Sequence, residues 1–256
     1  MTRGLKTEDR RLETVDRYNG DMASSWQTAA DSLAGDLRGV FGDRLRSVAT
    51  YGPHVEGDNT APLTCLALVA SLTADDLNAC ASLSPRWGRS HIATPLILPE
   101  GEFRRSLDAF PLEYGEIIRT HHVVFGNNPF IDIVIAPGDL RRACEAQVKS
   151  HLVHLREAFI ESGGRPGPVA SLVAASAPAF TALLRNVARL NGVLTSDRGE
   201  ATRLGAQAVR IPEQLVSDLL SLEHSSGITA VDSARLFPQY LAAVEHLAHA
   251  VDTWRA

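Results

Sequence analysis

The spacing of apolar positions changes twice along the chain. From Met22 to Phe41, Trp26, Ala29, Ala30, Leu33, Leu37 and Phe41 recur at helical spacing, which predicts a helix stopped by Gly42. Arg46–Tyr51 then has strand length. Cys65–Leu72 is a nearly continuous apolar run, as expected of a strand buried on both faces. Thr73 with Asp75 and Asp76 has the chemistry of a helix N-cap followed by acids in the first turn, and Leu77, Cys80, Leu83 and Trp87 mark the helix it opens. A third strand is expected at Thr94–Leu98, a short helix from Pro99 to Leu107, and another helical piece over Phe110–Ile118. His121–Phe125 and Phe130–Ile135 are rich in β-formers and flank a Gly126-Asn127-Asn128-Pro129 turn, so both are expected as strands.

Beyond Pro137 the strand pattern stops. Leu140, Cys144, Val148, Leu152, Leu155 and Phe159 form one stripe over Asp139–Ile160, and the Gly- and Pro-rich stretch Ser162–Pro168 breaks it. Val169–Leu190 predicts a very apolar helix, with Pro178 as a kink or start point. Further helices are expected near Glu200–Ala208, Pro212–Leu222 and Val231–Trp254, where Trp254 would dock the last one. The fold class is therefore α+β: a charged tail over 1–21, a small mixed-sheet domain over 22–137, and an all-α helical bundle over 138–256. Val169–Leu190 is so apolar that burial is required, in the bundle core or against a homo-oligomer or protein partner.

Composition narrows the setting. The 256 residues are 45% hydrophobic and 21% charged, ordinary for a soluble globular protein. Net charge is −5 with no basic block, which disfavours nucleic acid as a partner. Cys65, Cys80 and Cys144 are widely spaced in apolar contexts, as expected of reduced, buried thiols. The charged N-terminus lacks the apolar core of a secretory signal, and no run is read as long enough to cross a bilayer. The expected setting is cytoplasmic, with no membrane partner.

Candidate chemistry centres on Leu45–Leu72: a strand, a turn through Gly52 and Gly57-Asp58, a polar loop, and a second strand. Downstream follow Ile92-Ala-Thr-Pro-Leu-Ile-Leu98, His122-Val-Val-Phe-Gly-Asn-Asn-Pro-Phe130, Leu140-Arg-Arg-Ala-Cys-Glu145 and Leu152-Val-His-Leu-Arg-Glu157. Together, over roughly Leu45–Gly192, these segments resemble a bacterial group of nucleotidyltransferases with the minimal fold of the DNA polymerase β superfamily. The resemblance implies a nucleotidyltransferase-like domain followed by a helical one. In that family a Gly-Ser turn cradles the triphosphate, and Asp-x-Asp or Asp-x-Glu on the next strand holds Mg²⁺. Here Pro53 follows Gly52, and the ligand strand reads Thr64-Cys65-Leu66-Ala67-Leu68.

Nucleotidyl transfer relies on metal ions that neutralise the triphosphate, and Mg²⁺ demands hard oxygen ligands. Without the carboxylate pair, the expectation is a catalytically degenerate protein that binds a nucleotide, another small ligand or a partner, and that is not an enzyme. Gly52, Pro53, Gly57 and Asp58 are the nucleotide-binding candidates, and no cofactor is expected. The alternative is an active Mg²⁺-dependent transferase using Asp58 and Asp132. A third reading is a structural protein that assembles through its helices. Asp58 also suits a turn, Asp132 an exposed edge strand, and Glu56 a charged loop. His121 and His122 point to opposite faces of a strand and cannot chelate together, whereas His151 and His154 share a helix face that is expected to be solvated. The helical partners of minimal nucleotidyltransferases often carry an Arg-x(4–6)-His ribonuclease motif, and no convincing instance is present here.

Overall fold

The computed structural model describes residues 26–57, 60–193, 195, 197–223 and 230–255. The expected tail over 1–21, the start of the first helix at Met22, and Asp58 lie outside these residues. The chain divides into two compact units: the described part of Met1–Leu107 with Glu113–Val134, and Asp108–Leu112 with the described part of Ile135–Ala256.

The first unit is built on a four-stranded mixed sheet of β1 (Leu45–Tyr51), β2 (Thr64–Val69), β3 (Leu96–Pro99) and β4 (His121–Gly126), in the order β3-β2-β1-β4. β1 runs antiparallel to β2 and β4, and β3 runs parallel to β2. Helix α1 (26–41) and α2 (Ala74–Arg89) cover one face, where Leu33, Leu37, Cys80 and Trp87 pack with Val48, Cys65, Ala67 and Val69. Short helices α3 (Glu100–Arg105) and α4 (Pro111–Arg119) complete the order. α2 begins as the sequence predicts. Thr73 accepts from the Asp76 amide at 3.2 Å while Asp76 accepts from the Thr73 amide at 2.9 Å, a reciprocal capping box. Arg44 clasps both Asp76 oxygens at 2.7 Å, and this pair holds the carboxyl far below the usual carboxylate range.

One predicted strand is absent. Phe130–Ile135 alternates like a strand in sequence, yet the chain turns there, with the Ile133 amide donating to Phe130 O at 3.1 Å. Phe130 and Ile133 are buried while Ile131 and Val134 are 77% and 83% exposed, so burial recurs at three residues, not two. Asn128 fixes the bend by accepting from the Phe130 amide at 2.9 Å.

The second unit is helical, with α5 (Pro137–Glu161), α6 (Pro166–Leu190), α7 (Arg198–Ala208), α8 (Glu213–Glu223) and α9 (Ala230–Thr253). α6 is the centre and packs against the other four. Its buried stripe includes Val173, Ala177, Phe180, Leu184 and Val187, and Pro178 sits inside the helix instead of starting it. By length and composition alone α6 could cross a bilayer, contrary to the expectation from the sequence. Its packing against four helices accounts for that apolarity as bundle core. Phe159 stacks on Phe237 with ring centroids 4.3 Å apart. Cys65, Cys80 and Cys144 are free and buried, and burial pushes the thiols of Cys65 and Cys144 up to about 12.

Candidate nucleotide site

Strand alternation decides which side chains can reach the β1–β2 turn. Cys65, Ala67 and Val69 point into the α1–α2 core, so Thr64, Leu66 and Leu68 face the other side. Across the ladder, Tyr51 pairs with Thr64 and His121, and Ala49 pairs with Leu66 and Val123. These six residues share the sheet face away from α1 and α2, and none of them is a carboxylate.

Thr64 and His121 on this face are already engaged. The Thr64 hydroxyl donates to Tyr51 O at 2.5 Å, and Leu66 is 1% exposed. His121 donates through Nδ1 to Ile118 O at 2.9 Å and accepts from the Asn128 side-chain amide at 3.0 Å, with its ring against Phe130. His122 turns to the opposite face and meets Trp26 edge-on at 5.6 Å. The two histidines diverge, as alternation requires.

The turn itself is a tight coil. Gly52 and Gly57 have φ of +77° and +92°, the left-handed region that favours glycine. The amides of Val55 and Glu56 donate to Gly52 O at 3.0 and 3.3 Å, and that of Gly57 donates to His54 O at 3.2 Å. Pro53 has no N–H to offer. A turn that satisfies three amides internally and lacks a fourth is a poorer anion cradle than an open glycine loop. His54 Nε2 donates to Ala61 O at 2.6 Å and fastens the loop from within.

Beside the turn lies a charged cluster that the sequence did not single out. Arg119, at the end of α4, sits 2.8 Å from Glu116 and 3.4 Å from Glu56. Glu56 is thus a partly buried ion-pair partner and not simply a charged loop residue. The three-residue spacing of Glu116 and Arg119 was a readable helix pair. Their meeting with Glu56 joins positions 63 residues apart and had no local signal.

Among the described residues no group of three His, Cys, Asp or Glu side chains could hold a metal ion. Asp132 is exposed on the turn after Pro129 rather than set within a strand, so the edge-strand reading of that residue is also corrected. His151 and His154, in the helical unit, have separate partners: Tyr240 OH at 2.7 Å and Glu157 at 3.0 Å.

No protein-family profile and no curated protein sequence matches the chain. Among solved structures it is similar to a spectinomycin adenyltransferase from Enterococcus faecialis, crystallised with ATP and spectinomycin. The likeness has a TM-score of 0.55 at 11% identity and covers 88% of this chain and 99% of that one. At this identity it shows the fold: a nucleotidyltransferase-type α+β arrangement with a small mixed sheet followed by helices.

Proposed function

We propose that this chain is a catalytically degenerate nucleotidyltransferase-like protein, one that binds a small ligand at the β1–β2 turn without metal-dependent nucleotidyl transfer. The observation that carries the reading is the sheet face made by Tyr51, Thr64 and His121 with Ala49, Leu66 and Val123, which offers no carboxylate beside the turn. Nucleotide is the first ligand to test, because the similar structure holds ATP. Gly52, Pro53, Gly57 and Asp58 remain the proposed contacts.

The test is thermal unfolding of the full chain with ATP, with and without Mg²⁺, beside an assay for labelled nucleotidyl transfer. Ligand at a hundred times its Kd stabilises by ~2.7 kcal/mol, a readable shift. A metal-independent shift without turnover is expected. Mg²⁺-dependent turnover would overturn the degenerate reading, and no shift at any nucleotide concentration would remove nucleotide as the ligand.

A further inference from the structure

The helical unit contains a pocket of about 350 Å³, lined by Arg210, Ile211, Pro212, Leu215, Gln239, Ala242, Ala243 and His246. The first three come from the α7–α8 connection and Leu215 from α8. Gln239, Ala242, Ala243 and His246 form one stripe of α9 at i, i+3, i+4 and i+7. The two alanines, flanked by longer side chains, leave the hollow. Its size is within the range of small-molecule sites, and its wall is mainly apolar with few polar groups.

Arg210 is the unusual member. It has φ of +58°, and the chain around it closes as a Schellman motif: its amide donates to Gln207 O at 3.0 Å and that of Ile211 to Ala206 O at 2.9 Å. Glycine normally occupies this position, and does so where α6 ends in the same motif at Gly192. α2 also ends this way with a side-chain-bearing residue, His91, but there the imidazole Nε2 donates to Thr60 O at 3.2 Å and ties down the loop. Arg210 has no comparable tie: its guanidinium makes no ion pair among the described residues. An arginine held in the left-handed region where glycine is usual, at the edge of an apolar pocket, is the observation from which a role in that pocket is argued. His246 is fixed beside it, donating from Nε2 to Val209 O at 2.6 Å.

We propose that this pocket binds a small organic carboxylate with a compact apolar body. The body rests against Ile211, Pro212, Leu215, Ala242 and Ala243, the carboxylate pairs with the Arg210 guanidinium, and the Gln239 amide supplies a second donor. The site is separate from the β1–β2 turn, and it does not depend on nucleotide binding there.

Calorimetric titration of the full chain with 1-naphthoate, and with the uncharged 1-naphthamide, tests it. Naphthoate is expected to bind with a Kd below about 1 mM and at least about tenfold tighter than the amide, since a charge-assisted pair is lost in the latter. Arg210→Gly should weaken naphthoate at least about tenfold while raising the Tm of the helical unit by about 2–4 °C, because glycine suits the left-handed position. Ala242→Leu, which fills the hollow, should abolish binding of both compounds. Absence of saturable naphthoate binding, equal affinity for acid and amide, or unchanged affinity in Arg210→Gly would each overturn the proposal. A lowered Tm in that variant would overturn the strain argument on which it rests.

Discussion

At the β1–β2 turn the amides of Val55, Glu56 and Gly57 close on carbonyls of the turn, Thr64 bonds to Tyr51, and Arg119 is shared by Glu56 and Glu116. At the α7–α8 corner Arg210 carries a guanidinium with no ion-pair partner among the described residues, beside a pocket of about 350 Å³. The turn closes its amides on its own carbonyls, whereas the exposed Arg210 guanidinium makes no ion pair among the described residues. Fold likeness directs attention to the first place. Local accounting of charge and strain directs it to the second.

The largest expected effect breaks the comparison at the sheet. Leu66 is 1% exposed and faces the side where a metal-binding carboxylate would stand. Leu66→Asp buries a charge beside Ala49 and Val123, and should cost more than ~3 kcal/mol in denaturant unfolding. Added Mg²⁺ should not restore it. Full rescue by about 10 mM Mg²⁺, well above ordinary Mg²⁺ site requirements, would mean that the face is a metal site lacking one ligand.

Next come two glycines that set close approaches, one in each unit. A Cβ on Gly205 would lie 1.9 Å from Leu184 O, so α7 could not keep its seat on α6. A Cβ on Gly126 would lie 2.1 Å from Arg46 O, at a φ of +77°. Each Gly→Ala variant should lose ~2–4 kcal/mol, from overpacking in the bundle and from overpacking plus backbone strain in the sheet. Hydrogen exchange separates the two: Gly205→Ala should raise exchange chiefly in α6 and α7, and Gly126→Ala chiefly in β1 and β4. Uniform loosening of both units by either variant would contradict the division into two compact units.

Local rules made most of this fold legible. The stripe of Leu140, Cys144, Val148 and Leu155 became the buried side of α5, and Thr73 became a true N-cap, because both signals lie within a few residues. Phe130–Ile135 misled because alternating apolar residues suit a strand, while Asn128 and the preceding proline commit the chain to a turn. That the stretch Thr64–Leu68 holds no carboxylate could be read from the sequence directly. The engagement of the turn amides could not, since it depends on backbone geometry that no residue type announces. Arg210 was hidden for the opposite reason: glycine is the sequence signal for a left-handed helix end, and an arginine there erases it.

The helix ends offer a smaller and two-signed test. Gly192→Ala should destabilise by ~1 kcal/mol, since alanine resists the left-handed conformation that ends α6. His91→Gly should relieve similar strain but release Thr60, so the net change should stay within ~0.5 kcal/mol. Equilibrium unfolding of the two variants checks both. A large gain from His91→Gly would show that the Thr60 bond contributes nothing.

The smallest effect concerns pH and the bundle core. His151 on α5 bonds to Tyr240 OH at 2.7 Å, and its ring lies 6.3 Å from that of Phe180. Burial lowers its pKa below the usual imidazole value, and His154 one turn along the same helix adds to this. The unfolded chain therefore takes up a proton near pH 6.5 that the folded chain resists, so stability is retained above that pH and declines as the pH falls below it. The slope should be well under ~1.4 kcal/mol per pH unit, the value for a whole proton, because the ring keeps partial access to solvent. His151→Gln keeps a polar partner for Tyr240 but cannot titrate. Its stability deficit relative to the parent should therefore shrink between about pH 7 and pH 5, the window around the unfolded imidazole pKa. Parallel pH curves for the two proteins would show that His151 is protonated as readily in the bundle as in water, and that its bond to Tyr240 does not select the neutral ring.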